Sequence, residues 1–344
     1  MTDGPLLTPE AALEPPGSSS SRSPRTATAL WILRRALLSL FVLFGVSVLV
    51  FFATQALPGD PAVQILGQTA TPEQLTELRK QLGLDQPLLD QYVTWLGNVL
   101  TGSLGESLTS PQSVSSLLVD RGFASLALVG ASALIAIPLA VLLGSLGAMR
   151  RDRAVDHATQ GMFLVLTALP EFVIGLGLLI LLGTTVFTVL PPVALIPSGG
   201  AAFTHPRELA LPVITLVLAV VPYLTRLQRA AMIDVLESDF VQMARLKGLP
   251  ERTVVRRHAV RNSLIPVVQG SALTLIYLTG GIVAIEYLFA YPGLGSALTT
   301  AVAGRDLPVV QAIVLLLASV YVIVNLVADL LTVLLVPRLR TRRA

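Results

Sequence analysis

The sequence predicts an all-α membrane protein, a bundle of six transmembrane helices, and three observations carry that prediction. Of 344 residues, 53% are hydrophobic and 13% charged, roughly half the charged share of a soluble domain. Six apolar stretches lie at residues 36–57, 123–148, 161–190, 209–225, 264–290 and 308–336. A hydrocarbon core of about 30 Å needs about 20 helical residues, and only the fourth stretch is shorter. These stretches are continuous Leu, Val, Ile and Ala, whereas a barrel strand alternates in polarity over about ten residues.

The flanks are a different material. Residues 1–28 are rich in Ser, Pro, Ala and Thr. They cannot bury enough apolar surface to offset their ordering entropy and read as a disordered cytoplasmic tail. The apolar run that follows is too long for a signal-peptide core and has no clear small-residue cleavage site. Residues 29–344 therefore read as one transmembrane domain that begins with that run.

Charge sets the orientation. Basic residues number four ahead of the first stretch, three after the second, eight between the fourth and fifth and four at the end, 19 of 24 on one side. The positive-inside rule puts that side, and both termini, in the cytoplasm of a plasma-membrane protein. Long apolar runs separate the basic residues, so they pool on no single aqueous face as a nucleic-acid binder requires. Cysteine is absent, which excludes disulfides, thiolate nucleophiles and thiolate metal sites.

Two loops are longer than connectors. The outer one, about residues 58–122, holds Thr71-Pro72-Glu73-Gln74, a capping box with proline at the first helical position. Leu75, Leu78 and Leu82 recur at helical steps and Gly83 ends the run. A second start at Asp85-Gln86-Pro87 leads into Leu88, Tyr92, Trp95 and Leu96. The pattern predicts two short amphipathic helices, packed on the span ends or touching substrate.

The inner loop, about residues 227–263, predicts a helix at 239–247 with Phe240, Met243, Ala244 and Lys247 on one face. Gly248 then falls where a left-handed cap belongs, Leu249 supplies its apolar contact, and Pro250 opens a second helix through residues 251–261. The product is an exposed apolar face beside basic residues, which needs a cover. Spacing is equally consistent with a soluble partner and with the bundle itself or anionic lipid.

The stretch Phe240-Val241-Gln242-Met243-Ala244-Arg245-Leu246-Lys247-Gly248-Leu249 resembles the cytoplasmic coupling loop of ABC-importer permeases, in the version of the dipeptide/oligopeptide/nickel family. It departs from the family pattern at Phe240, Gln242, Met243 and Leu246, and keeps Ala244, Arg245, Lys247 and Gly248. Downstream, His258-Ala259-Val260-Arg261-Asn262-Ser263-Leu264-Ile265-Pro266-Val267-Val268 is similar to the family's corresponding stretch. So are Leu57-Pro58-Gly59-Asp60-Pro61, Glu286-Tyr287-Leu288-Phe289-Ala290-Tyr291-Pro292-Gly293-Leu294-Gly295 and Arg305-Asp306-Leu307-Pro308. The matches keep their order over about residues 30–340.

The resemblance implies a type I ABC-importer permease bundle that moves peptides or similar small solutes inward. It implies a second homologous permease chain, two ATP-binding subunits or domains and an extracytoplasmic solute-binding protein. Phe240 and Met243 would supply apolar fit to an ATPase groove, Arg245 and Lys247 charge, and Gly248 the turn. The departures bear on which ATPase subunit fits. No phosphate loop of the Gly-x-x-x-x-Gly-Lys type occurs in the sequence. The chain is therefore expected to be no enzyme and to bind no cofactor itself, with ATP and magnesium on the partner subunits.

Three acids fall inside the apolar stretches. A carboxylate near the midplane costs roughly 3 kcal/mol on insertion scales and should face protein or water. Glu171 follows Pro170, a bend where freed backbone groups can line a cavity, and is the candidate for the translocation path. Glu286 and Asp329 lie toward span ends, which suits structural pairing or snorkelling. Gln311 and Asn325 suit bonds between helices. Two rival readings are weaker. An intramembrane hydrolase lacks any histidine at membrane depth, any His-Glu-x-x-His pair and any Gly-x-Ser-x-Gly elbow. A secondary transporter would show an internal repeat and would leave the inner loop unexplained.

Overall fold

The computed structural model describes residues 24–56, 61–67, 70–81, 83–196 and 202–335. Residues 1–23 of the tail, Pro58-Gly59-Asp60, Leu82 and the last nine residues lie outside them. Among the described residues the secondary structure is helical, apart from one isolated bridge between Glu106 and Ser113.

The first helix, α1 (Pro24–Gln55), begins inside the segment expected to be tail. Leu33, Leu40 and Phe41 on it are more than half exposed, as helices facing lipid are. Three short helices follow: α2 (Pro61–Leu66), which the periodicity did not signal, α3 (Pro72–Gln81) and α4 (Leu88–Leu100). The capping box forms as read. The Gln74 backbone N–H donates to Thr71 Oγ1 at 3.3 Å, and the Thr71 N–H donates to Gln74 Oε1 at 3.0 Å. Helix α4 packs on the end of α1 through Tyr92, whose hydroxyl lies 2.9 Å from Ser47 Oγ. Phe51, Phe52 and Trp95 gather around it.

Helix α5 (Val114–Met149) is the second span. The third apolar stretch is not one helix: α6 (Ala154–Ala168) and α7 (Glu171–Leu178) meet at an angle of 106°. Pro170 has no N–H to continue α6 and disfavours helical backbone at Leu169, which is extended (φ −92°, ψ 134°). The expected bend is therefore a break, and a π-helical segment, Leu179–Thr184, closes the pair.

Helix α8 (Pro206–Leu236) reverses another expectation. The shortest apolar stretch belongs to a 31-residue helix and is the centre of the bundle, packed between α5 and the fifth span. It runs eleven residues past Thr225, into what reads as loop, because Gln228, Ala231 and Met232 continue its buried face. Gln228 is fully buried and its amide donates to Ser145 Oγ (3.0 Å) and Ser263 Oγ (2.9 Å), joining three helices.

Helix α9 (Asp239–Leu246) is followed by α10 (Glu251–Thr253), a π-helical segment at Val254–Val260, and α11 (Arg261–Leu288). These last three form one unbroken helix, Glu251–Leu288. The second inner-loop helix is thus the beginning of the fifth span rather than a separate element. Helix α12 (Leu294–Ala303) and the sixth span, α13 (Leu307–Leu335), complete the fold. Among the described residues, five helices are long and apolar enough to cross a membrane, and the spans number six if the bent pair counts as one.

Ion pairs hold elements that lie far apart in the chain. Asp329 of α13 pairs with Arg35 of α1, the first of the two outcomes, pairing or snorkelling, open to that acid. Gln311 donates to Thr54 Oγ1 at 2.7 Å, also between helices, whereas Asn325 donates within its own helix to the Tyr321 carbonyl. At the basic end of the bundle, Arg229 of α8 makes a two-pronged pair with Asp156 of α6, at 2.8 and 2.5 Å. The Asp156 side chain is 3% exposed. Removing Arg229 takes two charge-assisted hydrogen bonds from Asp156, so Arg229→Ala is expected to cost about 1–3 kcal/mol. A fall in the thermal midpoint of the detergent-solubilised protein would register it; a midpoint unchanged from wild type would contradict it.

Candidate functional site

The inner-loop device is built by a cap. Helix α9 stops at Leu246, and Gly248 takes φ +75°. Its N–H donates to the Arg245 carbonyl (2.9 Å), and the Leu249 N–H reaches the Ala244 carbonyl (3.4 Å). This is the paired pattern of a Schellman cap. Pro250 then precedes the helix that starts at Glu251. Arg245 bridges the two arms, donating to both Glu251 oxygens at 3.2 and 2.8 Å. That hydrogen bond raises the Arg245 guanidinium further above its ordinary value.

The faces of α9 divide differently from the sequence reading. Phe240 (47%), Met243 (53%) and Leu246 (81%) are exposed, and Leu249 lies beside them at 38%. Ala244 is not on this face. It is buried with Val241 and Val254, against Val235 and Leu236 at the end of α8, and so seats the helix on the bundle. Lys247 is exposed as the cap residue. Leu246 and Leu249 extend the outward face. The period of α9 carried that signal: positions 240, 243 and 246 are spaced by three, as are 241 and 244.

Glu171 opens α7 at the break. Its Oε2 accepts a 2.7 Å hydrogen bond from the Tyr277 hydroxyl of α11. Tyr277 also lines a cavity of about 350 Å³ between α6, α8 and α11, with Thr167, Leu169, Tyr223 and Thr274 in its wall and Glu171 outside it. The two tyrosines were not singled out in the sequence. Their only signal was polarity within apolar spans. A second cavity, about 410 Å³, lies between α1, α4 and α13, with Gln55, Lys80, Gln91, Trp95 and Gln311 in its wall.

Glu286, at the far end of α11, has a different role. It is fully buried. Its carboxylate accepts from Ser125 Oγ of α5 (2.6 Å), the Gly295 N–H (2.6 Å) and the Ser296 N–H (3.4 Å). Ser125 Oγ in turn accepts from the Leu294 N–H at 2.8 Å. The first turn of α12 thus closes on a carboxylate, an arrangement its unsatisfied N–H groups favour.

These features meet a known pattern. The profile of the binding-protein-dependent transport system inner membrane component matches residues 136–341, and the profile of that component's N-terminal region matches residues 29–129. The chain belongs to this family. It is the membrane-spanning permease subunit of an ABC importer, a multi-pass protein of the inner membrane and one component of a multi-subunit transport system. The permease is 36% identical over 313 residues to a putative peptide transport system permease protein of Brucella abortus (strain 2308), covering 91% of this chain and 99% of that relative. It is 36% identical over 311 residues to the glutathione transport system permease protein of Escherichia coli (strain K12), covering 90% and 98%. The family's activity is transport rather than chemical conversion.

Proposed function

We propose that this permease carries peptides or similar small amino-acid conjugates into the cytoplasm, driven by separate ATPase subunits that dock on α9 and the start of the Glu251–Leu288 helix. One observation carries the docking assignment. Phe240, Met243 and Leu246 stand exposed on a capped helix whose other face is buried, beside a bidentate Arg245–Glu251 pair. An apolar patch rimmed by charge marks an interaction surface. Phe240 and Met243 supply the apolar fit, Arg245 and Lys247 the charged contacts, Gly248 the turn, and Ala244 the seat on the bundle.

Nucleotide and magnesium are assigned to those subunits and not to this chain. The solute class follows the names of the relatives, which concern peptide and glutathione transport. Docking at the basic end places that end, and both termini, in the cytoplasm, in keeping with the bias of arginine and lysine. A bundle of six spans pairs with a second homologous permease chain to enclose a path, and a solute-binding protein delivers to the opposite face. Glu171 lies on that path. The chain divides into an N-terminal tail and a transmembrane domain, with the boundary moved from residue 28 to the start of α1 at Pro24.

A mild-detergent pull-down of the tagged permease, followed by mass spectrometry, tests the assembly. Recovery of a P-loop ATPase and a second permease is expected, with the ATPase lost from a Met243→Asp variant. A homo-oligomer without ATPase would overturn it.

A further inference from the structure

Helix α4 is inside out for a helix bathed in water. Leu89, Val93, Leu96 and Leu100 follow the i, i+4, i+7, i+11 spacing of a single stripe. Leu89, Val93 and Leu100 are more than half exposed. The opposite face, with Gln91, Thr94, Trp95 and Asn98, lines the cavity of about 410 Å³. A surface helix in water turns its apolar stripe to the core and its polar residues outward. Here the polar residues point in and the apolar stripe points out, so something apolar must cover the stripe.

Depth names the cover. The Tyr92 hydroxyl lies 2.9 Å from Ser47 Oγ, and the rings of Tyr92 and Trp95 stand 5.4 and 5.5 Å from that of Phe51. From Arg35 to Gln55, helix α1 rises roughly 30 Å, the thickness of the hydrocarbon core. Phe51 is roughly 6 Å and Ser47 roughly 12 Å short of the Gln55 end by the same measure. Helix α4 therefore crosses α1 below that border and not above it. Tyrosine and tryptophan are the residues enriched at this level of a bilayer. Phe44 lies seven residues before Phe51, on the same flank of α1, and is more than half exposed. The lipid-facing surface of α1 thus continues beneath α4 to the stripe. The one charge on α4 is Asp90, which falls off the stripe.

We infer that α4 lies within the leaflet away from the basic end, with Leu89, Val93, Leu96 and Leu100 against acyl chains. The partner of this face is lipid. Helix α4 is then a wall of the membrane domain and not an external cap, and it seals a polar chamber at membrane depth from the surrounding hydrocarbon.

The chain has no cysteine, so a nitroxide can be attached at one chosen position at a time. Leu89→Cys, Val93→Cys and Leu100→Cys place it on the stripe. Leu40→Cys on α1 serves as the lipid control and Asp152→Cys in the exposed turn before α6 as the water control. Each full chain is isolated in mild detergent with its bound partners and placed in lipid nanodiscs. Power-saturation electron paramagnetic resonance then compares collisions with oxygen, which concentrates among acyl chains, and with a water-soluble nickel chelate. The oxygen-to-nickel ratio at all three stripe positions is expected to approach that of position 40 and to exceed that of position 152 several-fold. The corresponding depth should be about 5–10 Å below the headgroups, the usual immersion of an interfacial helix. A water-like ratio on the stripe would overturn the assignment and return α4 to the aqueous side. Low collision rates with both reagents would overturn it equally, because they mark burial under another protein chain. If one variant fails to accumulate, the other two stripe positions decide.

Discussion

Replacing Gly293 with alanine is expected to remove most of the folded permease from the membrane. Gly293 has ordinary backbone angles (φ −103°, ψ −173°), so the need for glycine is one of space. A Cβ at that position would stand far inside contact distance of the Glu286 carboxylate. Glu286 cannot retreat, because it is fully buried and held by Ser125 and the Gly295 N–H. Either the carboxylate leaves its donors or α12 moves off α11. Leaving a buried polar group without its hydrogen-bond partners costs about 1–3 kcal/mol or more, a sizeable share of the 5–15 kcal/mol that typically separates folded from unfolded protein. Membrane abundance and the thermal midpoint would register it. Removing the carboxylate should make room for the methyl, so the double variant Gly293→Ala/Glu286→Ala should lose less than the sum of the single losses. Strict additivity would show that the two residues do not meet in this way.

Gly248→Val is expected to uncouple ATP hydrolysis from transport while leaving the bundle folded. Here the need for glycine is conformational. Gly248 has φ +75° and nothing within 4 Å of a Cβ, so valine would clash with no neighbour. It would instead carry a left-handed backbone that costs an L-residue roughly 1–2 kcal/mol. The cap between Gly248, Leu249 and the end of α9 would open, and Phe240, Met243 and Leu246 would lose their fixed direction. Transport should fall by about tenfold or more, the equivalent of about 1.4 kcal/mol of coupling, while the thermal midpoint stays near wild type. Asparagine tolerates the left-handed region, so Gly248→Asn should retain much of the transport. Normal transport in Gly248→Val would count against the docking role.

What was legible in the sequence is what short-range chemistry specifies. The Thr71–Gln74 box and the Gly248 cap each span a few residues, and both form as read. The apolar runs placed the spans because length and polarity suffice for that. The break at Pro170 read only as a bend, because proline in an apolar run allows either outcome and packing against α8 and α11 decides. The end of α8 was hidden because Gln228 looks like the start of a polar loop. Its place in the core depends on Ser145 and Ser263, 83 and 35 residues away. The pairs Arg35–Asp329 and Ser125–Glu286 join residues 294 and 161 positions apart, beyond any local pattern. The outward face of α9 was partly legible. Phe240 and Met243 were found, while Ala244 was assigned to their face because i+4 spacing on one short helix does not say which flank the bundle covers.

The helix from Glu251 to Leu288 has a mechanical consequence. It is 38 residues long, which makes it a lever of roughly 57 Å at 1.5 Å per residue. One tip carries Glu251, clamped to Arg245 beside the exposed patch of α9. Near the other tip Glu286 is gripped by Ser125 and α12. A load at the first tip therefore reaches the second along one continuous helix, through its π-helical segment and past Pro266, and a tilt of roughly ten degrees about the middle would carry each tip about 5 Å in opposite senses. The stroke at one membrane face and the opening at the other would then be two readings of a single rotation.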